Sequence, residues 1–228
     1  MENLKQQAYC AIKQRIISCE FLPGTYLSEK LLMDALGLSR TPIRDALGRL
    51  EQEGLLVIHP KRGVWVADLT LGELSRLFEF RRLVELHAMT EHAHKLSRAA
   101  LAALRADIDA LETANREEAY AADDRFHDAL VRSTDNEYMI RAYLSMRDQI
   151  HRMRALIGRI QPGGSRIDAS RAEHLAILDA MLDGDWAAAA SRLSDHLSNA
   201  YGSAFALLTQ GSDISVSALV GTAHRPPR

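Results

Sequence analysis

The sequence predicts a mainly α protein in two parts, a small N-terminal domain ending in a β-hairpin and a larger C-terminal antiparallel six-helix bundle. Three observations lead there. Apolar residues recur at helical spacing through most of residues 4–208, the only β-prone runs fall within 55–67, and Gly, Pro or Asx breaks punctuate the rest at helix-length intervals. At 228 residues the chain can build two cores, and the boundaries fall at 1–69, 70–210 and a polar tail at 211–228.

From Leu4 to Cys19, the residues Ala8, Tyr9, Ile12, Ile16 and Ile17 mark a first helix. Phe21-Leu22-Pro23-Gly24 stops it, because Pro23 disfavours helix at Leu22 and Gly24 suits a turn. Ser28 caps a second helix, with Leu31, Leu32, Ala35 and Leu36 inward; Gly37 then permits positive φ and Leu38 plugs the corner. In the next helix, SRTPIRDALGRL at 39–50, Ile43, Ala46, Leu47 and Leu50 form one apolar stripe. Arg40 and Arg44, one turn apart, project from the other side with Thr41 near the start and Arg49 a turn further on. Ser39 or Thr41 can cap this helix, and Pro42 is tolerated in its first turn. Two β-prone runs, Leu55–Ile58 and Val64–Ala67, flank His59-Pro60-Lys61-Arg62-Gly63 and read as a hairpin with Lys61 and Arg62 at its tip. Helix, glycine turn, cation-fronted helix and basic hairpin together give a winged helix-turn-helix. Its second helix suits a DNA major groove, and its wing suits phosphates or a minor groove.

The stretch PGTYLSEKLLMDALGLSRTPIRDALGRLEQEGLLVIHPKRGVWV, residues 23–66, resembles the DNA-binding domain of GntR-family transcription regulators. That resemblance implies Arg40, Thr41 and Arg44 as base or phosphate contacts, and Ser39 and Arg49 as backbone contacts. Lys30 stands where the family often places an arginine near the DNA, and Gly63 matches a wing-tip glycine that lets the backbone approach the minor groove. The residue types suit those roles, since arginine can hold guanine O6 and N7 bidentately.

Asp68-Leu69-Thr70 reads as a linker, with Thr70 capping a helix that carries Leu74, Leu77, Phe78, Arg81 and Leu83. Helices are expected near 71–94, 97–115, 117–134, 136–158, 166–183 and 185–208. Breaks fall at Ser97, Ser133-Thr134-Asp135-Asn136, Gln161-Pro162-Gly163-Gly164 and Asp183-Gly184-Asp185; beyond Gln210 little helix is expected. Asp123 and His127 are four apart on one helix, while His174 and His196 each lie on the apolar side of a later helix. Three inward imidazoles and one carboxylate could form a ligand set for a divalent transition metal; each His taken singly reads sooner as a satisfied core or rim residue, and the four together weigh the two readings evenly.

The spacing of these four, within DRFHDALVRSTDN and EHLAILDAMLDGDWAAAASRLSDHL, is similar to the FCD effector domain of FadR-like GntR regulators. The resemblance implies that Asp123, His127, His174 and His196 bind zinc, nickel or a similar metal, whose open positions receive a small carboxylic acid effector. In the family an arginine within a stretch like LFEFRRLVE holds that acid. Arg81 is matched to it, with Arg82 as the second choice. His87, His92 and His94 read as surface or interface residues, His59 as a wing residue, and Trp65 and Trp186 as core; His151 is undecided.

The formal net charge of −2 announces no nucleic-acid partner. Residues 1–70 carry nine Lys/Arg against eight Asp/Glu and the remainder 19 against 22, so local arginine clustering matters more than the total. No apolar run approaches a membrane span and no leader opens the chain. Cys10 and Cys19, about 13 Å apart along one helix, read as free thiols, so a cytoplasmic protein is expected. The expected function is a ligand-responsive regulator, most readily a repressor. It would act as a homodimer on double-stranded operator DNA, with the metal alone as a variant signal, and would not be an enzyme. The rival is a metal-dependent hydrolase of the HD type, using His127-Asp128 with His94 and Asp195. It is weaker because Asp128 is turned about 100° from His127, so Asp123 fits a shared ion better.

Overall fold

The computed structural model describes residues 2–111, 115–160 and 165–210. The expected break at 161–164 and the tail at 211–228 lie outside them. The described residues form two compact units, one of 2–70, 147–160 and 207–210, the other of 71–111, 115–146 and 165–206.

In the first unit α1 (Glu2–Ile17) is followed by β1 (Tyr26–Leu27), α2 (Glu29–Leu36), α3 (Arg40–Gln52), β2 (Leu56–His59) and β3 (Gly63–Val66). α1 stops at Ile17, short of the expected Cys19. Cys19 takes φ 56°, and the Phe21 N–H reaches back to the Arg15 carbonyl at 2.9 Å, which closes the helix end before Pro23 acts. Ser28 caps α2 by accepting the Leu31 N–H, and Gly37 ends it at φ 65° with its N–H on the Met33 carbonyl. Of the four residues expected inward on α2, Leu32 is buried and Leu36 half-buried, whereas Leu31 (66 % exposed) and Ala35 face out. A helix of only two turns contacts α3 along a single edge, which those two residues do not share. Pro42, Ile43, Ala46, Leu47 and Leu50 of α3 are buried as the periodicity requires. The last four share a core with Ile12 and Ile16 of α1 and Leu56, Val64 and Val66 of the sheet.

The sheet has one strand more than expected: β1 joins the hairpin in the order β1-β3-β2, all antiparallel, with Tyr26 opposite Trp65 and His59 opposite Gly63. A two-residue strand carries too little alternation to be read from sequence. Trp65, expected in the core, is instead half-buried, edge-on to Tyr26 and to His59 with ring centroids 5.1 Å apart in both pairs. Strand alternation requires this, because Val64 and Val66 take the core face. Residues 147–160 join this unit through side chains of the α1 region. Lys13 Nζ meets Glu53 at 2.9 Å and Asp148 at 2.6 Å, and the Cys19 thiol donates to the Arg152 carbonyl at 3.3 Å. Cys19 is thus a buried free thiol and Cys10 an exposed one.

The later helices are α4 (Leu71–Glu91), α5 (Arg98–Asp109), α6 (Arg116–Arg132), α7 (Glu137–Ile160), α8 (Ser165–Asp183) and α9 (Trp186–Gln210). α4 begins directly after Thr70 and gives way to a 3-10 turn at Ala93–Lys95. α5 is shorter than the expected 97–115 and closes at Ala110, whose N–H returns to the Ala106 carbonyl. Ser97 and Asn115 cap α5 and α6 through their side chains. One core joins Met89 of α4, Leu101 and Ile108 of α5, Phe126 and Leu130 of α6, Ile177 and Leu178 of α8, and Leu193 and Leu197 of α9.

Candidate functional site

The four residues singled out in the bundle come from α6, α8 and α9, and all are buried: Asp123 at 9 % exposure, His127 at 1 %, His174 and His196 at 2 %. One ligand atom from each lies within 4.8 Å of all the others. Helical spacing explains the convergence, since i and i+4 share a face on α6 and the two later histidines sit in the inward rows of α8 and α9. His174 Nε2 is 3.1 Å from His127 Nε2 and 3.5 Å from Asp123 Oδ1. Phe126 walls the group, its ring centroid 4.9 Å from that of His127 and 5.0 Å from that of His174.

Electrostatics favour the neutral imidazole at His174 and His196. Burial pushes His174 well below the usual histidine range, with His196 and His127 adding to the effect. Burial likewise lowers His196 to about 4, although Glu173 opposes it. A neutral imidazole is the form that ligates. His196 Nε2 is buried without a hydrogen-bond partner, an expensive state unless something else accepts its lone pair. Three buried imidazoles with one carboxylate, and a bare Nε2 on His196, fit a divalent transition metal.

Two carboxylates that sequence reasoning did not nominate stand behind the histidines. Glu85 of α4, fully buried, places Oε2 2.7 Å from His127 Nδ1 and Oε1 2.6 Å from Arg81 Nε. Burial would raise its pKa, but Arg81 and His127 outweigh that and hold it down at about 2. Glu173 of α8 accepts from His196 Nδ1 at 2.7 Å. Despite partial burial, its bonds to His196, Arg166 and Asn199 hold it at about 2. Arg81 is itself 2 % exposed, whereas Arg82 is fastened to Ser194 and Ser198 of α9 at 2.7–3.2 Å. Tyr143 of α7, also buried, lies in the field of Glu85, Arg81 and Asp123 and was not nominated either. His87 is exposed and pairs edge-on with His92 at 5.3 Å. His94 and Asp195, which the HD reading needs, are exposed and outside the cluster. His151 falls in the first unit.

In that first unit, a cleft of about 680 Å³ opens between α3 and the wing. Lys30, Arg40, Arg44, Lys61 and Arg62 line it, with Glu29 as the one acidic group, so the surface suits a polyanion. Arg44 Nε reaches Glu29 at 2.8 Å and Arg40 Nε at 3.5 Å, which holds both arginines on the cleft side. Thr41 is exposed, and Ser39 sits at the N-cap of α3 without a side-chain cap bond. Arg49 lies apart from this group: its guanidinium stacks 3.6 Å from the Tyr9 ring centroid and meets Gln6 and Glu53. At the wing tip Lys61 adopts φ 64° and Gly63 φ 120°. A Cβ on Gly63 would collide with the Tyr26 ring, so the strand itself demands glycine there. Among the described residues no helix is long and apolar enough to cross a membrane.

Comparison with known proteins shows what the chain is similar to. Residues 4–66 match the bacterial regulatory proteins of the gntR family, and residues 76–199 match the FCD domain. The HTH-type transcriptional repressor RspR of Escherichia coli K12 is 24% identical over 201 residues, covering 86% of this chain and 86% of that protein. A GntR transcriptional regulator from Rhodococcus sp. RHA1 superposes with a TM-score of 0.73 at 23% identity, over 89% of this chain and 97% of that one. The Zn2+-bound FCD domain of TM0439 covers 63% of this chain and 99% of its own, with a TM-score of 0.53 at 20% identity.

Proposed function

The chain belongs to the GntR regulators that carry an FCD domain, and from that premise we propose that it is a metal-loaded repressor switched by a small carboxylic acid. It is a DNA-binding transcription regulator of that type and not an enzyme. The repressor reading draws on the named activity of RspR.

The observation that carries the metal reading is the buried group of Asp123, His127, His174 and His196, with His196 Nε2 left bare. These four residues would hold the ion, zinc or nickel first by ligand type. When bound, the ion supplies Lewis-acid positions for the oxygens of an acid. Arg81 is the cation for the acid's carboxylate: it is buried and its charge is felt by His174 and His196. A hydroxy-, keto- or dicarboxylate has the two-ended chemistry that a metal and an arginine call for together.

On the DNA side, Arg40, Arg44 and Thr41 would read or hold the major groove, with Ser39, Lys30 and Arg49 on the backbone. Lys61, Arg62 and Gly63 would reach phosphates or the minor groove. We place the protein on a short palindrome as a homodimer, one recognition helix per half-site. Titration calorimetry of Zn2+-loaded protein against two- to six-carbon acids, with and without operator, tests the whole reading. A tenfold change of DNA affinity requires about 1.4 kcal/mol of coupling, and by reciprocity DNA weakens acid binding tenfold. An acid bound equally well in both states would refute the switch.

A further inference from the structure

A ligand histidine must present a bare Nε2 to the ion, yet a neutral imidazole carries its proton on either nitrogen. The partner of Nδ1 decides which. For two of the three histidines that partner is a carboxylate outside the ligand set. Glu173 Oε2 lies 2.7 Å from His196 Nδ1, and Glu85 Oε2 lies 2.7 Å from His127 Nδ1. The second approach is short but off the hydrogen-bond line, and neither atom has any other hydrogen-bond partner, so nothing competes for the contact.

Both carboxylates are themselves fastened. Arg81 Nε holds Glu85 at 2.6 Å. Arg166 grips Glu173 with both arms, at 2.9 and 2.8 Å, and Asn199 adds a bond at 2.9 Å. An ionised carboxylate can only accept, so a fastened one imposes a single tautomer where an amide or hydroxyl could serve either. We propose that Glu85 and Glu173 are the positioning residues of the metal centre, each accepting the Nδ1–H of one ligand histidine and so aiming its Nε2 at the ion. The proposal rests on the metal reading above and extends it to residues that touch no ion.

The two carboxylates are not equivalent. Glu85 is wholly buried and joins Arg81, the proposed acid anchor, to His127. Its charge balances a buried guanidinium, so truncating it leaves Arg81 uncompensated and endangers the fold. Glu173 is one-fifth exposed and its removal strands no buried charge. Its position next to His174 in sequence turns it about 100° round α8, toward His196 and Asn199 of α9.

The test uses the full chain, stripped of metal, with nitrogen-15 NMR of the histidines to read tautomers and chelator competition to read Zn2+ affinity. Wild type should show His127 and His196 as Nδ1–H tautomers. Glu173→Ala should release His196 from that tautomer, leave His127 unchanged, and weaken Zn2+ about 10- to 100-fold. Glu85→Gln, which keeps the volume, should disturb His127 and leave His196 unchanged; circular dichroism checks that both variants fold. An Nε2–H tautomer at His196 in wild type overturns the proposal, and so does Zn2+ affinity unchanged in both variants. Wild type that takes up no Zn2+ overturns the metal reading first, and this proposal with it.

Discussion

Metal removal should lower the stability of this protein by an amount that simple linkage sets. An ion bound only by the folded chain contributes RT ln(1 + [M]/Kd), about 2.7 kcal/mol at a free concentration one hundred times Kd. For a chain of this size each kcal/mol moves the midpoint by roughly 2–4 °C, so a scan with excess Zn2+ should melt about 5–11 °C above one with chelator. His196→Ala removes the donor whose Nε2 is bare and whose side chain is 2 % exposed. The variant should therefore be destabilised even without metal, by about 0.5–3 kcal/mol for an emptied buried site. The discriminating quantity is the difference between the two scans of the same variant, which cancels that packing loss. It should collapse toward zero in His196→Ala and survive in Arg82→Ala, whose side chain is tied to Ser194 and Ser198. Differential scanning calorimetry of the full chain measures both. Equal gaps in wild type and His196→Ala would refute the ligand assignment.

On DNA, Arg44→Ala should cost roughly 1–3 kcal/mol of operator affinity and relax preference at one base pair, read by fluorescence anisotropy across a substituted operator series. Lys61→Ala should weaken all sequences alike and reduce the slope of log K against log salt by about 1. Gly63→Ala should destabilise the wing, since it combines φ 120° with a collision against Tyr26, and hydrogen exchange of the β2–β3 amides should report the loss. For acid stability, burial raises the Glu53 pKa, but the bonds from Lys13 and Tyr9 outweigh it and hold the carboxyl below its usual range. A depressed carboxyl contributes stability that is present above its unfolded pKa and is lost as pH falls through the folded one. Glu53→Gln should therefore flatten the acid limb of the unfolding profile and leave the neutral region lower. An unchanged acid limb would remove Glu53 from that account.

Periodicity made the architecture legible because each helix announces its buried row, and the cap and turn residues announce its ends. Ser28, Gly37 and Ser97 stand where the chain needs a side-chain acceptor or a positive φ. What periodicity cannot convey is the partner across the interface. Leu31 shares the residue type of Leu32, and only the edge that α3 offers decides which of them is covered. The strand β1 escaped because two residues pair by register with β3, and register is set in space rather than along the chain.

The same limit separates the two layers of the candidate metal site. Asp123, His127, His174 and His196 could be named from sequence because each helix row points them inward, and the structure brings their ligand atoms within 4.8 Å. Glu85 and Glu173 could not, because a glutamate on a helix is read as solvated until its counter-charges are located. Glu85 follows Arg81 by one turn, a spacing that more often marks a weak exposed pair. Here both side chains are at 2 % exposure or less, Arg81 Nε meets one carboxylate oxygen at 2.6 Å, and His127 Nδ1 stands 2.7 Å from the other. An i,i+4 Arg–Glu pair inside an otherwise apolar helix row, one helix away from an inward histidine, is thus a signal that sequence reading can carry. Charge has no reason to enter a dry core unless a third group there requires it.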